Sequence, residues 1–213
     1  LDHDKLMAKG RDYFLLGRKK LEERGGGNYV ALRELAVQAS EIGKFDDAID
    51  LWQQALALRP DDVEALFNLA YDYMQIGKYQ EALHAAKRSA ELSPGTKDAV
   101  LNYALCEMLM GNVLKTKALL EESVSSENEN PSLMAVLGAS YFVSGDTDKG
   151  LTIFKKLAKK QINSVAYVNS LLEKLIASGQ IEYANLLILA ALSGNIADRK
   201  TLRLRQELDA SAK

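Results

Sequence analysis

Apolar residues recur along most of this chain at intervals of three and four positions, the spacing of one face of an α-helix. Leu66, Leu69, Tyr73 and Ile76 form one such stripe. The spacing breaks at Gly77 and then resumes. Glycine is the residue expected where a helix ends in a left-handed turn. The pattern therefore predicts pairs of short helices joined by tight turns.

The break after this stripe recurs at a constant interval of 34 residues. The glycines that mark it are Gly43, Gly77, Gly111, Gly145 and Gly179. The fifth residue after each glycine is small: Ala48, Ala82, Thr116, Gly150 and Ala184. Small residues at matched positions allow two helices to approach closely. We therefore expect a helical repeat protein in which each repeat contains a helix A, a turn and a helix B.

The repeat resembles the tetratricopeptide repeat (TPR) family. In the second repeat the matching residues are Leu69, Ala70, Tyr73, Gly77, Tyr79, Ala82 and Pro94. In the first repeat they are Leu35, Ala36, Gly43, Phe45, Ala48, Ala55 and Pro60. The resemblance implies an all-α fold: a right-handed superhelical solenoid of five TPR helix-turn-helix repeats, with an N-terminal helix and a C-terminal capping helix.

The repeat register divides the chain into three parts. Residues 1–28 are predicted to form an N-terminal amphipathic helix and a Gly-rich junction, and residues 197–213 a C-terminal capping helix. The repeats between them occupy 29–62, 63–96, 97–130, 131–164 and 165–196. The third and fifth repeats depart most from the family pattern, with Glu107 where an aromatic residue is usual and Leu172 where a small one is usual.

Some helix A residues form a second apolar face, on the side opposite the packing stripe. In the second repeat these are Phe67, Tyr71 and Met74, spaced four and three residues apart. The corresponding residues of the third and fourth repeats are Leu101, Leu105, Met108, Ala135, Ala139 and Phe142. Since helix A lines the concave side of such solenoids, we expect a mostly apolar channel. The alternative is that curvature buries part of this face between neighbouring helices.

Polar residues are predicted to flank the channel. Arg33 and Glu34 would lie at one end, and Asn169 and Glu173 at the other. The resemblance to peptide-binding TPR proteins implies that Asn68 and Asn102 hydrogen-bond the backbone of an extended ligand. The basic residues that grip a C-terminal carboxylate in some TPR domains are replaced by Glu64, Phe67, Asp98 and Val136, so that subtype is not expected.

Composition narrows the function classes. The net charge is −2, with 47% apolar and 26% charged residues, and this favours neither nucleic acid nor an anionic membrane as a partner. No apolar run approaches the roughly 18 residues of a membrane span. The single cysteine, Cys106, excludes an internal disulfide framework. We expect a cytoplasmic protein, with the bacterial periplasm left open.

No arrangement of residues indicates catalysis, a metal site or a cofactor. The two histidines, His3 and His84, are far apart, and Cys106 lies where the repeat holds a small buried residue. The stretch containing Lys155, Lys156, Lys159 and Lys160 is interpreted as a solvated helix B face. We therefore expect that the protein is not an enzyme.

The predicted function is that of an adaptor that binds a peptide or helix of a partner protein in the channel. The predicted binding residues are Phe67, Asn68, Tyr71, Met74, Leu101, Asn102, Leu105, Met108 and Phe142. Two alternatives remain open: a self-associating structural scaffold that forms a homo-oligomer, or the TPR portion of a larger enzyme or of a secretion or assembly protein.

Overall fold

The computed structural model describes residues 3–23, 27–123, 130–159 and 164–211, and within these ranges it contains helices and turns but no strands. The helices are α1 (His3–Glu23), α2 (Tyr29–Glu41), α3 (Phe45–Leu58), α4 (Val63–Gln75), α5 (Tyr79–Leu92), α6 (Lys97–Leu109), α7 (Val113–Ser123), α8 (Pro131–Val143), α9 (Thr147–Lys159), α10 (Ser164–Ala177), α11 (Ile181–Ser193) and α12 (Arg199–Ser211). Part of the predicted Gly-rich junction, the ends of the third and fourth repeats, and Lys160 lie outside the described residues.

The five repeat glycines adopt the backbone conformation that their spacing predicts. Their φ angles run from 74° to 91°, in the left-handed region that disfavours other residues. After the first glycine, the Lys44 N–H donates to the Ala39 carbonyl at 2.8 Å, and each later turn repeats this bond. Such a bond satisfies a carbonyl at the end of helix A. The helices therefore form five hairpins, in which α2, α4, α6, α8 and α10 are the A helices.

The predicted small positions lie where paired helices touch. Ala48, Ala82 and Thr116 are fully buried. At Gly150 in α9 an added Cβ would lie 2.9 Å from the Gly138 carbonyl oxygen of α8. No side chain fits there without separating the two helices. The prediction that these positions allow close helix packing is confirmed.

The chain divides into two compact units, Leu1–Asn102 and Tyr103–Lys213, with the division inside α6. In the first unit α2 contacts α3, α4 contacts α5, and α3 contacts α4, so the packing continues from the first hairpin to the second. Side-chain caps begin α2 and α4: Asn28 accepts from the Ala31 N–H at 3.0 Å and Asp62 from the Ala65 N–H at 2.8 Å.

The predicted N-terminal helix α1 packs on α2 through glycines. An added Cβ on Gly10 or Gly17 would lie within 3 Å of Ile42 or Leu35 respectively, so the helix backbone itself forms the contact. Phe14 is fully buried beside this contact. Tyr13 and Leu16 of α1 lie beside this contact, remain exposed, and border a cleft between α1 and α2.

In the second unit, α12 begins at a cap that also reaches α10. Asp198 accepts from the backbone N–H groups of Lys200 and Thr201, each at 2.9 Å. These two bonds and a third from Asn169 hold the pKa of Asp198 below its usual value. The charged helix α12 contacts α10 and α11, and its cap ties it to the last hairpin.

Candidate protein-binding surface

In the first unit, the predicted binding face of α4 is partly open. Tyr71 is 41% exposed, while Phe67 and Asn68 on the same helix are half-buried. Leu101, on the part of α6 that belongs to this unit, is also half-buried. These side chains can be reached from solvent.

Met74 and Asn102, two further residues of the predicted set in this unit, do not have the expected exposure. Met74 is only 4% exposed, so the prediction that it lines open surface is wrong. Asn102 is 8% exposed, and its amide donates to the Phe67 carbonyl at 3.4 Å. The Asn102 amide therefore bonds within the chain, to the backbone beside the open face.

In the second unit, the predicted face is more deeply covered. Leu105 and Phe142 are half-buried, but Met108 is 0% exposed. Ala135 and Ala139, on the same expected face of α8, are also inaccessible. The expectation of an open apolar surface is therefore wrong for Met108 and for the middle of α8.

Of the four polar residues predicted at the channel ends, Glu34 is exposed and the other three have partners within the chain. Arg33 forms an ion pair with Glu64, and Glu173 pairs with Lys200 at 2.8 Å. Asn169 is 3% exposed: its oxygen accepts from the Thr201 hydroxyl at 2.7 Å and its amide donates to Asp198 at 3.0 Å. Asn169 thus anchors α12, and its predicted position at an open channel end is wrong.

The last hairpin explains why the α8 face is covered. Besides its hairpin partner α10, helix α11 contacts both α8 and α9. Gln180 donates to the Leu109 carbonyl at 3.3 Å, and the Tyr183 hydroxyl donates to the Gly111 carbonyl at 3.2 Å. Helix α11 therefore begins against the turn of the third repeat, two repeats earlier in sequence.

The other end of α11 is held by a close backbone approach. An added Cβ on Gly194 would lie 2.6 Å from the Phe154 Cβ of α9. Between these ends, Leu187, Ile188 and Ala191 of α11 are buried. Because α8 is contacted by α10 and α11 as well as by α7 and α9, its middle turns have no open face.

A sequence signal for this packing exists in α11 itself. The run Ala184–Ala191 has apolar side chains on every side of the helix apart from Asn185. A helix that is apolar all round is buried on more than one face. Sequence reasoning used the second apolar face of α4 but missed the same feature in α11.

A buried carboxylate joins the first two hairpins. Asp72 of α4 is inaccessible to solvent and accepts hydrogen bonds from the Ser40 hydroxyl of α2 at 2.6 Å and the Trp52 indole of α3 at 3.0 Å. Burial raises the pKa of Asp72 to about 6 despite these two bonds. Sequence reasoning assigned no role to this residue.

The remaining residues that could support catalysis or bind a metal are either buried or not close enough together. Cys106 is buried, and burial raises the pKa of its thiol to about 12, so the nucleophilic thiolate is scarce near neutrality. Within the described residues no three histidine, cysteine, aspartate or glutamate side chains converge as a metal site would require. Nor does any helix in the described part of the chain have the length and apolar character needed to cross a bilayer.

The hairpin geometry agrees with a comparison of sequences. A sequence model of the cilia and flagella-associated protein 70 middle TPR-like domain matches residues 32–160, more than half of the chain. The chain belongs to this family. The matched part of the TPR-like domain ends before α10, so the hairpin with the divergent packing lies outside it. A search of curated protein sequences found no match.

Solved structures share the fold of this TPR-like domain at low sequence identity. A tetratricopeptide repeat protein from Parabacteroides merdae gives a TM-score of 0.65 at 17% identity, over 98% of this chain and 80% of that chain. MamA from Desulfovibrio magneticus RS-1, residue 41 to its end, gives 0.61 at 16%, over 85% and 97%. YrrB, a TPR protein with an unusual peptide-binding site, gives 0.60 at 14%, over 89% and 97%.

Together, the family match and the fold neighbours confirm the predicted all-α helical repeat fold. They support a general role as a protein-interaction scaffold.

Proposed function

We propose that the protein is a non-catalytic adaptor whose first unit binds a peptide or helix of a partner protein on the A-helix face around Tyr71. The observation that carries the proposal is the 41% exposure of this tyrosine, next to the partly accessible Phe67 on the same helix. Tyrosine and phenylalanine are enriched in the cores of protein interfaces. The peptide-binding site of the fold neighbour YrrB is consistent with such a use of the fold.

Polar groups beside Tyr71 suit an extended backbone. The Asn68 amide nitrogen donates to the Glu64 carbonyl at 3.0 Å, within its own helix. Its side-chain oxygen accepts no hydrogen bond from the described residues, so it is free to accept one from a ligand N–H. In this proposal Tyr71 and Phe67 supply apolar contact area, and Asn68 sets the orientation of the ligand.

In the second unit the corresponding face is occupied by the chain's own helices. Met108, Ala135 and Ala139 are at most 1% exposed, and α11 contacts α8. We therefore assign partner binding to the first unit, and of the second-unit residues predicted earlier we keep none as a principal contact.

Affinity capture followed by mass spectrometry tests the proposal. Lysate of the source organism would be passed over immobilised wild-type protein, Tyr71→Ala, and Leu58→Ala as the matched control. Leu58 is 55% exposed on α3 of the same unit, away from the A-helix face. We expect a partner that is retained by wild type and Leu58→Ala but lost by Tyr71→Ala, with circular dichroism confirming that all three are folded. Equal retention by Tyr71→Ala would reject this face as the binding site.

A further inference from the structure

A cleft of about 600 Å³ lies between α1 and α2, entirely within the first unit. Its walls include Tyr13, Leu16 and Lys20 from α1, and Glu34, Gln38 and Glu41 from α2. None of these residues belongs to the face around Tyr71. This volume is within the usual range for ligand-binding clefts.

The cleft follows from the way α1 packs. Gly10 and Gly17 bring the α1 backbone directly onto Ile42 and Leu35 of α2. Larger side chains on either side of this line of contact then stand as walls. On the α1 side, Tyr13 is 68% exposed and Leu16 is 51% exposed. These two side chains give the α1 wall of the cleft an apolar surface.

The α2 wall is acidic. Glu34 and Glu41 are seven residues apart, so both project from the same side of the helix. Both are exposed, and neither forms an ion pair with any residue in the described part of the chain. Gln38 lies between them and adds a neutral amide. Lys20 is the lysine on the opposite wall.

We propose that this cleft binds a segment of another protein that carries lysine or arginine side chains next to a large apolar one. The apolar side chain would pack on Tyr13 and Leu16. The basic groups would pair with Glu34 and Glu41. Charge complementarity of this kind contributes more to specificity and association rate than to total affinity. This inference is independent of the face around Tyr71.

Peptide selection against the intact protein provides the test. A phage-displayed library of random linear peptides would be panned on the wild-type chain. Selected peptides, made synthetically with a fluorescent label, would be titrated by anisotropy against wild type and the charge-reversal variant Glu34→Lys/Glu41→Lys. The matched control is Glu81→Lys/Glu182→Lys, which changes net charge equally at two exposed carboxylates outside the cleft.

We expect selected peptides to combine basic and apolar residues, and the cleft variant to weaken their binding by about tenfold or more. The control should change binding by less than about threefold, and Leu16→Ala should also weaken it. The proposal is overturned if selection yields acidic or uncharged peptides. It is also overturned if the two charge-reversal variants weaken peptide binding equally, or if the selected peptides bind only to the face around Tyr71. Concentration-dependent dimerisation that blocks the cleft in wild type would identify a second copy as the occupant, and would also overturn it.

Discussion

At the scale of single residues, Asp72 shows how one polar group can join neighbouring repeats of the first unit. It is buried, yet both oxygens have donors, from Ser40 of α2 and Trp52 of α3. One carboxylate therefore connects three helices from two repeats. Hydrogen bonds of this kind specify a single packing arrangement, but burial of the charged form has a cost, which appears as the raised pKa.

Asp72→Asn is predicted to change how stability depends on pH. The folded-state pKa of about 6 lies above the ordinary value of 3.8, so the folded protein binds the proton more tightly than the unfolded chain. The Asp72 contribution to stability is therefore fully present below about pH 4 and is lost as pH rises through about 6. The Asn variant lacks this titration, and its amide can still donate to Ser40 and accept from Trp52.

Urea unfolding of both proteins between pH 4 and pH 7 measures this contribution. The free energy of unfolding of wild type, relative to the variant, should fall by up to about 3 kcal/mol across that range. Other carboxylates titrate equally in both proteins and cancel in the difference. A difference that stays constant with pH, or one that rises, would contradict the assignment.

Two glycines of the second unit should respond differently to alanine. At Gly145, with φ of 91°, an added Cβ meets no atom within 4 Å, so the cost is the backbone strain alone, about 1–2 kcal/mol. At Gly150 the added Cβ would lie 2.9 Å from the Gly138 carbonyl oxygen, and the α8 backbone cannot move away without separating the two helices. We expect Gly150→Ala to be the more destabilising in thermal and urea unfolding. The reverse order would argue against close α8–α9 packing.

At the scale of elements, α11 shows that the same local fold can be packed in different ways. Its hairpin has the repeat glycine, the left-handed turn and the small residue at Ala184. Its outer contacts differ, because it also contacts α8 and reaches the turn at Gly111. The turn and the small residue act within one hairpin. The outer contacts depend on which apolar face the rest of the chain offers.

Substitution of Leu187 is predicted to destabilise the second unit. This side chain is fully buried on α11, whereas Leu189, two residues later, is 48% exposed. Leu187→Ala should lower the free energy of unfolding by about 2–5 kcal/mol through lost burial and a residual cavity. Leu189→Ala should lower it by less than about 1 kcal/mol. Similar effects of the two substitutions in denaturant unfolding would show that α11 is not seated as described.

At the scale of the whole molecule, the periodic sequence was enough to predict the hairpins. Gly43 to Gly179 mark all five turns, and Asn130 followed by Pro131 marks the start of α8. These features are local, since the residues that determine them are neighbours in sequence. The exposure of the middle of α8 and the position of Asn169 were predicted wrongly because they depend on α11 and α12, whose packing is set by long-range contacts.

Burial across the chain predicts a wide range of backbone protection. Residues 133–140 of α8 are all buried, and α7, α9, α10 and α11 contact α8. Helix α1 is exposed along one side and, within the described residues, packs chiefly on α2. Hydrogen exchange followed by mass spectrometry should therefore find the slowest exchange in α8 and faster exchange in α1. Equal protection of the two helices would contradict this picture.

Because α11 already packs on α8, any partner molecule that binds this side of α8 must first displace α11. Its observed affinity would equal its intrinsic affinity reduced by the fraction of molecules in which α11 has moved away. If that fraction were about one in a thousand, a nanomolar interaction would be measured as roughly micromolar. A screen for ligands of this side of α8 should therefore begin with a variant in which α11 is displaced, and then select for complementarity to α8.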